Sequence, residues 1–390
     1  MAQAGQIEFS RMQRVVWGRP ASEVVAEEAR RLGAERVFLI VSRTLNRESD
    51  VVSEIGRGLG NRVAGLFEGI PAHVHRETVI AAARDARAAK ADLIVTVGGS
   101  SASGVGKMAR LALAHGLETV DDMEPFRTVV QPDGTRTRPE FRGPDIGQVA
   151  VPTTLSGGEY YHYQGSTDTR IPEKQGYEHP DMIPTSVVLD PWAVLHTPEW
   201  LWFSTGIRAV DHAVEGLCAP GANAYTDAMN LQALKLLSRS LAASKTAPGD
   251  VDARLESQLG AWMSMAGVTA GVRVGASHGI GHVLGGACDV PHGYTSCVML
   301  APVLRWNRQA GGERQQVVSE AMGQPDRPAA DLVADLVARL GLPTRLGDVG
   351  VGPDRFPEIA EQAMREPFVL ANPRPVRSIG DVLEILHSAL

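Results

Sequence analysis

Cysteine is scarce: Cys218, Cys288 and Cys297 are the only three in 390 residues, an odd number with no repeated spacing. That excludes a disulfide scaffold and makes a reducing cytoplasm the expected compartment. Long apolar runs are missing as well. No stretch approaches the roughly 18 to 20 apolar residues of a membrane span, and residues 1–14 have no apolar targeting core. An excess of positive charge is also absent: 38 Lys and Arg stand against 45 Asp and Glu, a net −7 spread along the chain. Nucleic acid and anionic membranes are therefore not the expected partners, and a small molecule is.

What is present is ordinary globular composition, 44% hydrophobic and 21% charged, in a chain longer than one core usually serves. The first half alternates helical and compact apolar patterns. Residues 21–32, 51–59 and 76–89 read as helices, and residues 36–41, 62–67 and 91–97 as buried strands. Such alternation implies a parallel sheet covered on both faces. Residues 120–147, rich in Asp, Arg, Pro and Gly, read as a long loop. It is either a solvated excursion or a segment bringing Arg127, Arg136, Arg138 and Arg142 to an anionic substrate. Strand patterns return at 148–152 and 185–190, after which helices dominate at 202–218, 224–243, 251–270, 329–340 and 379–390. The expected organisation is an α/β domain over residues 1–192 and an all-helical domain over residues 193–390.

Two turns carry possible chemistry. Gly98, Gly99, Ser100 and Ser101 follow a strand and open a helix, where glycines admit a phosphate to backbone N–H groups at a positive helix end. The spacing of Gly98, Gly99, Gly104 and Gly106 matches neither the dinucleotide fingerprint nor a P-loop, so a purely structural turn is the competing reading. Thr153 and Thr154 sit in a second turn after a strand, and both turns can face one crevice at the sheet's carboxyl edge. In the helical half, His278 and His282 are four residues apart on one helical face, with His292 ten residues beyond and His212 on a separate apolar helix. Neutral imidazoles converging from separate helices can hold zinc or ferrous iron. Taken singly, each is equally a hydrogen-bonded core histidine. His73, His75, His162 and His179 have no such partners, and His115, His196 and His387 read as surface residues.

In order along the chain, Val16-Trp17-Gly18, the glycine turn with Lys107, the Thr153-Thr154 turn, Asp190-Pro191, the histidine segments and Asn372-Pro373-Arg374 resemble the iron-containing, or group III, alcohol dehydrogenase superfamily. The resemblance implies the dehydroquinate synthase-like fold, an N-terminal dinucleotide-binding α/β domain plus an all-α domain, and a homodimer. It places Gly98, Gly99, Ser100 and Ser101 on the pyrophosphate and Thr153 and Thr154 along the cofactor. His212, His278 and His292 fall on the metal histidines and His282 near the reacting centre. The family's fourth ligand, an aspartate, is replaced by Arg208. Arginine cannot ligate a cation, so either Asp211 supplies the carboxylate for iron or zinc, or no metal binds and Arg208 takes the electrophilic role with His278 and His282. Gly104, the 153–159 turn and Ala72-His73-Val74 are closer to the maleylacetate reductase branch. The position of the family's ribose-binding acidic residue holds Ser42-Arg43, where Arg43 either accepts a 2′-phosphate or faces solvent, leaving NAD or NADP. The expected activity is hydride transfer from NAD(P)H to a small acidic carbonyl or enone. A metal-dependent alcohol dehydrogenase is the alternative, and a cyclising lyase related to dehydroquinate synthase the third.

Overall fold

A computed structural model describes residues 5–130, 136–171 and 173–390. It divides into two compact units, residues 10–197 and residues 198–390, the latter joined by the N-terminal segment up to Phe9.

The strands are β1 (Arg14–Trp17), β2 (Val37–Val41), β3 (Val63–Glu68), β4 (Leu93–Gly98), β5 (Val129–Val130), β6 (Arg136–Thr137), β7 (Gly147–Pro152), β8 (Tyr163–Asp168), β9 (Glu173–Glu178) and β10 (Ser186–Leu189). Six of them form one sheet in the order β1-β10-β7-β4-β2-β3, all paired in parallel. The helices of this unit are α1 (Ala21–Arg31), α2 (Arg43–Glu48), α3 (Val51–Leu59), α4 (Arg76–Ala88) and α5 (Ser100–His115). Alternation of side chains decides what each face covers. Val37, Leu39 and Val41 of β2 join a core with Val24, Val25, Val52 and Ile55 of α1 and α3. Phe38 and Ile40 join the opposite core with Val79, Ala82, Val105 and Met108 of α4 and α5. Both faces being buried explains why these strands read as unbroken apolar runs.

From β2 the chain first adds β3 on one side and then returns to add β4 on the other. Neighbouring connections therefore leave in opposite directions, which opens a crevice beyond the carboxyl ends of β2 and β4, the position where doubly wound sheets take their ligands.

The sequence-based expectations miss some elements. The antiparallel pair β8–β9 is mostly polar and so carries no apolar alternation, yet Ser166 and Asp168 are buried. The described residues of the expected loop 120–147 include a 3₁₀ turn, Asp121–Phe126, and the β5–β6 pair. Of the arginines that could there meet an anion, three are engaged in ion pairs. Arg127 pairs with Glu124, Arg138 with Glu178 and Arg142 with Asp145, while the Arg136 side chain lies outside the described residues. His115, expected at the surface, is partly buried with its ring 4.5 Å from Phe126 and its Nε2 2.7 Å from the Arg142 carbonyl.

The helical unit holds α6 (Glu199–Cys218), α7 (Ala224–Thr246), α8 (Val251–Ser264), α9 (Ala266–Thr269), α10 (Ala276–Ala287), α11 (His292–Ala321), α12 (Ala329–Arg339), α13 (Phe356–Ala363), α14 (Pro367–Leu370) and α15 (Ile379–His387). Residues 202–218 of α6 are all buried, which makes it the central rod of the unit. The helix expected over 251–270 is two, α8 and α9. The 30-residue α11 was not among the expected helices, only its His292 having been singled out; Pro302 and a bend at Gly311 interrupt its periodicity. Phe9 belongs here through its ring, 5.9 Å from Tyr225. The expected boundary at Trp192 compares with a division after Thr197. Among the described residues no helix is long and apolar enough to cross a membrane.

Candidate active site

At the carboxyl edge of the sheet the candidate cofactor residues meet through the backbone. The Ser42 N–H donates to the Val97 carbonyl at 2.9 Å, and the Thr153 N–H donates to the Gly98 carbonyl at 2.9 Å. Gly98 has φ of +147°, and a Cβ there would stand 3.1 Å from the Ser42 Cβ and 3.2 Å from the Ala102 Cβ. At Gly99 it would stand 3.1 Å from the Thr154 Cγ2. Glycine is thus required twice, once for the backbone and once for space. Gly99 begins α5 with no capping side chain, so first-turn N–H groups face outward, as an anion requires. The residues present fit a dinucleotide pyrophosphate.

Thr153 and Thr154 are nearly buried, and Thr197 Oγ1 fixes the Thr153 carbonyl at 2.7 Å. The turn beyond them is held by Lys107, whose Nζ donates to the carbonyls of Gly158 and Tyr161 at 2.6 and 2.7 Å. Burial pulls this ammonium down to about 7, against the attraction of the Glu159 carboxylate. Burial also pushes Glu159 up to about 7.

In the helical unit, α6 presents Arg208, Asp211, His212 and Glu215, whose spacings of three and four residues put them on one side of the helix. Glu215 caps α10: its carboxylate accepts from the N–H groups of Gly275 and Ser277, both at 2.8 Å, and from His278 Nδ1 at 2.8 Å. Asn372 Oδ1 takes the Ala276 N–H at 3.1 Å, so the start of α10 is saturated by side chains. Asp211 Oδ2 accepts from Ser277 Oγ at 2.8 Å and from Ser296 Oγ at 2.6 Å, and lies 3.3 Å from His278 Nδ1. Arg208, 4% exposed, donates to Ser296 Oγ at 3.1 Å and meets His292 Nε2 at 3.3 Å. Because a guanidinium only donates, His292 Nε2 is the acceptor there.

The electrostatics separate two histidines whose ring centres are 4.7 Å apart. Burial and Arg208 both pull His278 down, but the carboxylates of Asp211 and Glu215 outweigh them and hold it above its ordinary value. His212, buried and beside His278, Arg208 and His282, falls well below. Burial lowers Arg208, opposed by Asp211 and Glu215. His278 Nε2, His212 Nδ1 and Asp211 Oδ1 are buried with no hydrogen-bond partner. His282, on the next turn of α10, stacks on His292 at 5.7 Å and lies 3.5 Å from Glu366 through Nδ1.

The structure therefore brings Arg208, Asp211, His212, His278, His282 and His292 into one neighbourhood, and adds Glu215, Ser277 and Ser296, to which sequence reasoning did not assign a role, and Asn372, which it named only as part of a motif. A carboxylate one turn after Asp211 was the available signal for Glu215. Among the described residues, the donors gathered closely enough for a cation are Asp211, Glu215 and His278, within 4.8 Å of one another. The expected trio of His212, His278 and His292 is not such a group. With the Arg208 guanidinium on His292, that trio does not fit a divalent ion.

The profile of iron-containing alcohol dehydrogenases matches residues 12–191, and that of the Fe-containing alcohol dehydrogenase family, C-terminal, matches residues 202–390. The chain belongs to the iron-containing alcohol dehydrogenase family. It is accordingly an NAD(P)-dependent oxidoreductase. Among relatives of this chain, Dehydrogenase FUM7 of Gibberella moniliformis is 33% identical, the alignment covering 96% of this chain and 95% of that one. Maleylacetate reductase 1 of Cupriavidus pinatubonensis is 28% identical over 96% and 93%. The crystal structure of maleylacetate reductase from Agrobacterium tumefaciens superposes with a TM-score of 0.82 at 28% identity, covering 100% of this chain and 98% of that one.

Proposed function

We propose that the protein reduces the carbonyl or conjugated alkene of a small acidic substrate, as a maleylacetate reductase does. The observation that carries this is the buried Arg208 guanidinium, hydrogen bonded to Ser296 and His292, where a fixed positive charge polarises an oxygen or clamps a carboxylate without a metal. The nicotinamide, when bound, supplies the hydride. Ser42, Arg43, Gly98, Gly99, Ser100, Ser101, Thr153 and Thr154 are proposed to hold its dinucleotide. Arg208 stabilises the negative charge that develops on the substrate oxygen. His278, favoured in its protonated form by Asp211 and Glu215, and the more exposed His282 hold the proton that completes the reduction. A cytoplasmic location, supported by three free cysteines, and a homodimer are part of this proposal.

A second reading, a metal-dependent alcohol dehydrogenase, is favoured by the Asp211, Glu215 and His278 group, which would place a Lewis acid deeper than the histidine trio. One experiment separates the readings: metal content and NAD(P)H oxidation with maleylacetate, before and after chelation. Chelator-insensitive turnover, lost by about a hundredfold or more in Arg208→Ala, is the expected result. Stoichiometric metal with activity lost on chelation favours the second reading. Turnover without net NAD(P)H consumption would point instead to the lyase.

A further inference from the structure

Arg208 and Asp211 are three residues apart on α6 and both are buried. Opposite charges at that spacing on a helix ordinarily pair directly. In a buried site the attraction is strong enough to make such a pair the default. Yet among the described residues the two make no ion pair. Ser296, on α11 and fully buried, stands between them: its Oγ lies 3.1 Å from Arg208 Nη1 and 2.6 Å from Asp211 Oδ2. The roles are unambiguous. Guanidinium only donates and carboxylate only accepts, so the single hydroxyl proton points to Asp211 while the oxygen accepts from Arg208.

The consequence concerns the rest of the guanidinium. With Nη1 engaged by Ser296, Nη2 is directed at His292 Nε2 and not back toward its own helix. On another side Gly281 of α10 gives it room: a Cβ there would stand 2.9 Å from Thr295 Oγ1 and 3.8 Å from Arg208 Nη1. Asp211 Oδ2 meanwhile accepts from both Ser277 and Ser296, while its Oδ1 has no hydrogen-bond partner.

We infer that Ser296 is a positioning residue, a neutral spacer that prevents Arg208 from collapsing onto Asp211 and so keeps the guanidinium aimed toward His292 as an electrophile. This rests on the proposed role of Arg208. Removing the hydroxyl lets the two charges close to a direct pair, turning the fork away from His292 and satisfying the donors that a substrate oxygen would use.

The test uses the full chain in three variants, Ser296→Ala, Ser296→Thr and Arg208→Ala, with crystal structures of the first two and steady-state kinetics on maleylacetate with NADPH. In Ser296→Ala a direct Arg208–Asp211 bond of about 3 Å is expected. A loss of about tenfold to a hundredfold should appear in kcat more than in KM. Ser296→Thr, which keeps the hydroxyl, should retain both the bridged arrangement and the activity. The inference is overturned if Arg208 still reaches His292 in Ser296→Ala, or if Ser296→Thr loses as much activity as Ser296→Ala. Should Ser296→Ala fail to fold, Ser296→Cys keeps the side-chain volume while replacing the hydroxyl with a weakly hydrogen-bonding thiol for the same measurements. Full activity in Arg208→Ala would instead sink the proposed function itself. An inactive Arg208→Ala beside an unaffected Ser296→Ala would sink only the spacer.

Discussion

At the scale of single residues, charge in place of a metal ligand is the most consequential feature. Arg208 stands where the family resemblance implies a carboxylate, and its neighbours His212, His278 and His292 remain. Arg208→Asp is therefore expected to raise affinity for Zn²⁺ or Fe²⁺ at least tenfold over the unaltered protein, read by metal analysis after dialysis. Equal metal content in both would mean that Arg208 is not what governs occupancy. The buried pair of Lys107 and Glu159 sets a pH dependence whose sign can be worked out. Glu159, raised to about 7, is protonated in the folded chain but ionised in the unfolded chain between its ordinary value and about 7, so stability falls as pH rises through that window. Lys107, lowered to about 7, gives the opposite slope above that pH, because only the unfolded chain then keeps the proton. Glu159→Gln should flatten the acid limb in thermal melts run from pH 5 to 7; an unchanged slope would mean that another group titrates there. Arg208 was legible only through the resemblance, which places a ligand aspartate at its position. That Ser296 keeps it from Asp211 was not, since 88 residues separate Arg208 from Ser296.

At the scale of elements, α5 shows how packing limits sequence choice. A Cβ at Gly104 would stand 2.7 Å from Val74 Cγ2 and 2.8 Å from the Gln164 amide. Gly104→Ala is accordingly expected to cost about 1–3 kcal/mol, and Gly104→Asp to cost more, because it also buries an unpaired charge. Denaturant melts of the two variants check this, and a Gly104→Asp midpoint equal to that of the unaltered chain would refute the tight approach of α5. At the end of β2 and β3, Glu68 is taken up by Arg47 and Asn46, while the Arg43 guanidinium lies over Gly69, 2.5 Å from where a Cβ would be. If this edge binds the ribose, Arg43→Ala should lower the NADPH-to-NADH preference in kcat/KM about tenfold or more, since a 2′-phosphate loses its charge-assisted bond. An unchanged ratio would place Arg43 in solvent only. The polar hairpin β8–β9 and α11 escaped the sequence because periodicity reports burial on one face. The hairpin is mostly polar, with Tyr177 its one described core residue, and a proline and a bend break the helix's register.

At the scale of the whole molecule, each unit has its own hydrophobic cores, two flanking the sheet and a large one among α10, α11, α13 and α15. Residues 10–197 are therefore expected to fold as an isolated fragment with a cooperative melt, followed by circular dichroism; a featureless melt would show that the helical unit is needed for stability. The sequence by itself determined the fold class, the parallel sheet and the helical half. It also located the glycine turn and the histidine-bearing helices, because burial on both faces of a strand or along one stripe of a helix writes a local period. Only the tertiary structure decided that Glu215 caps α10, that Asp211, Glu215 and His278 gather where three histidines were expected to, and that Ser296 stands between two opposite charges. Those facts depend on which helices touch and at what distance, and contacts between residues far apart in the chain leave no periodic trace in it.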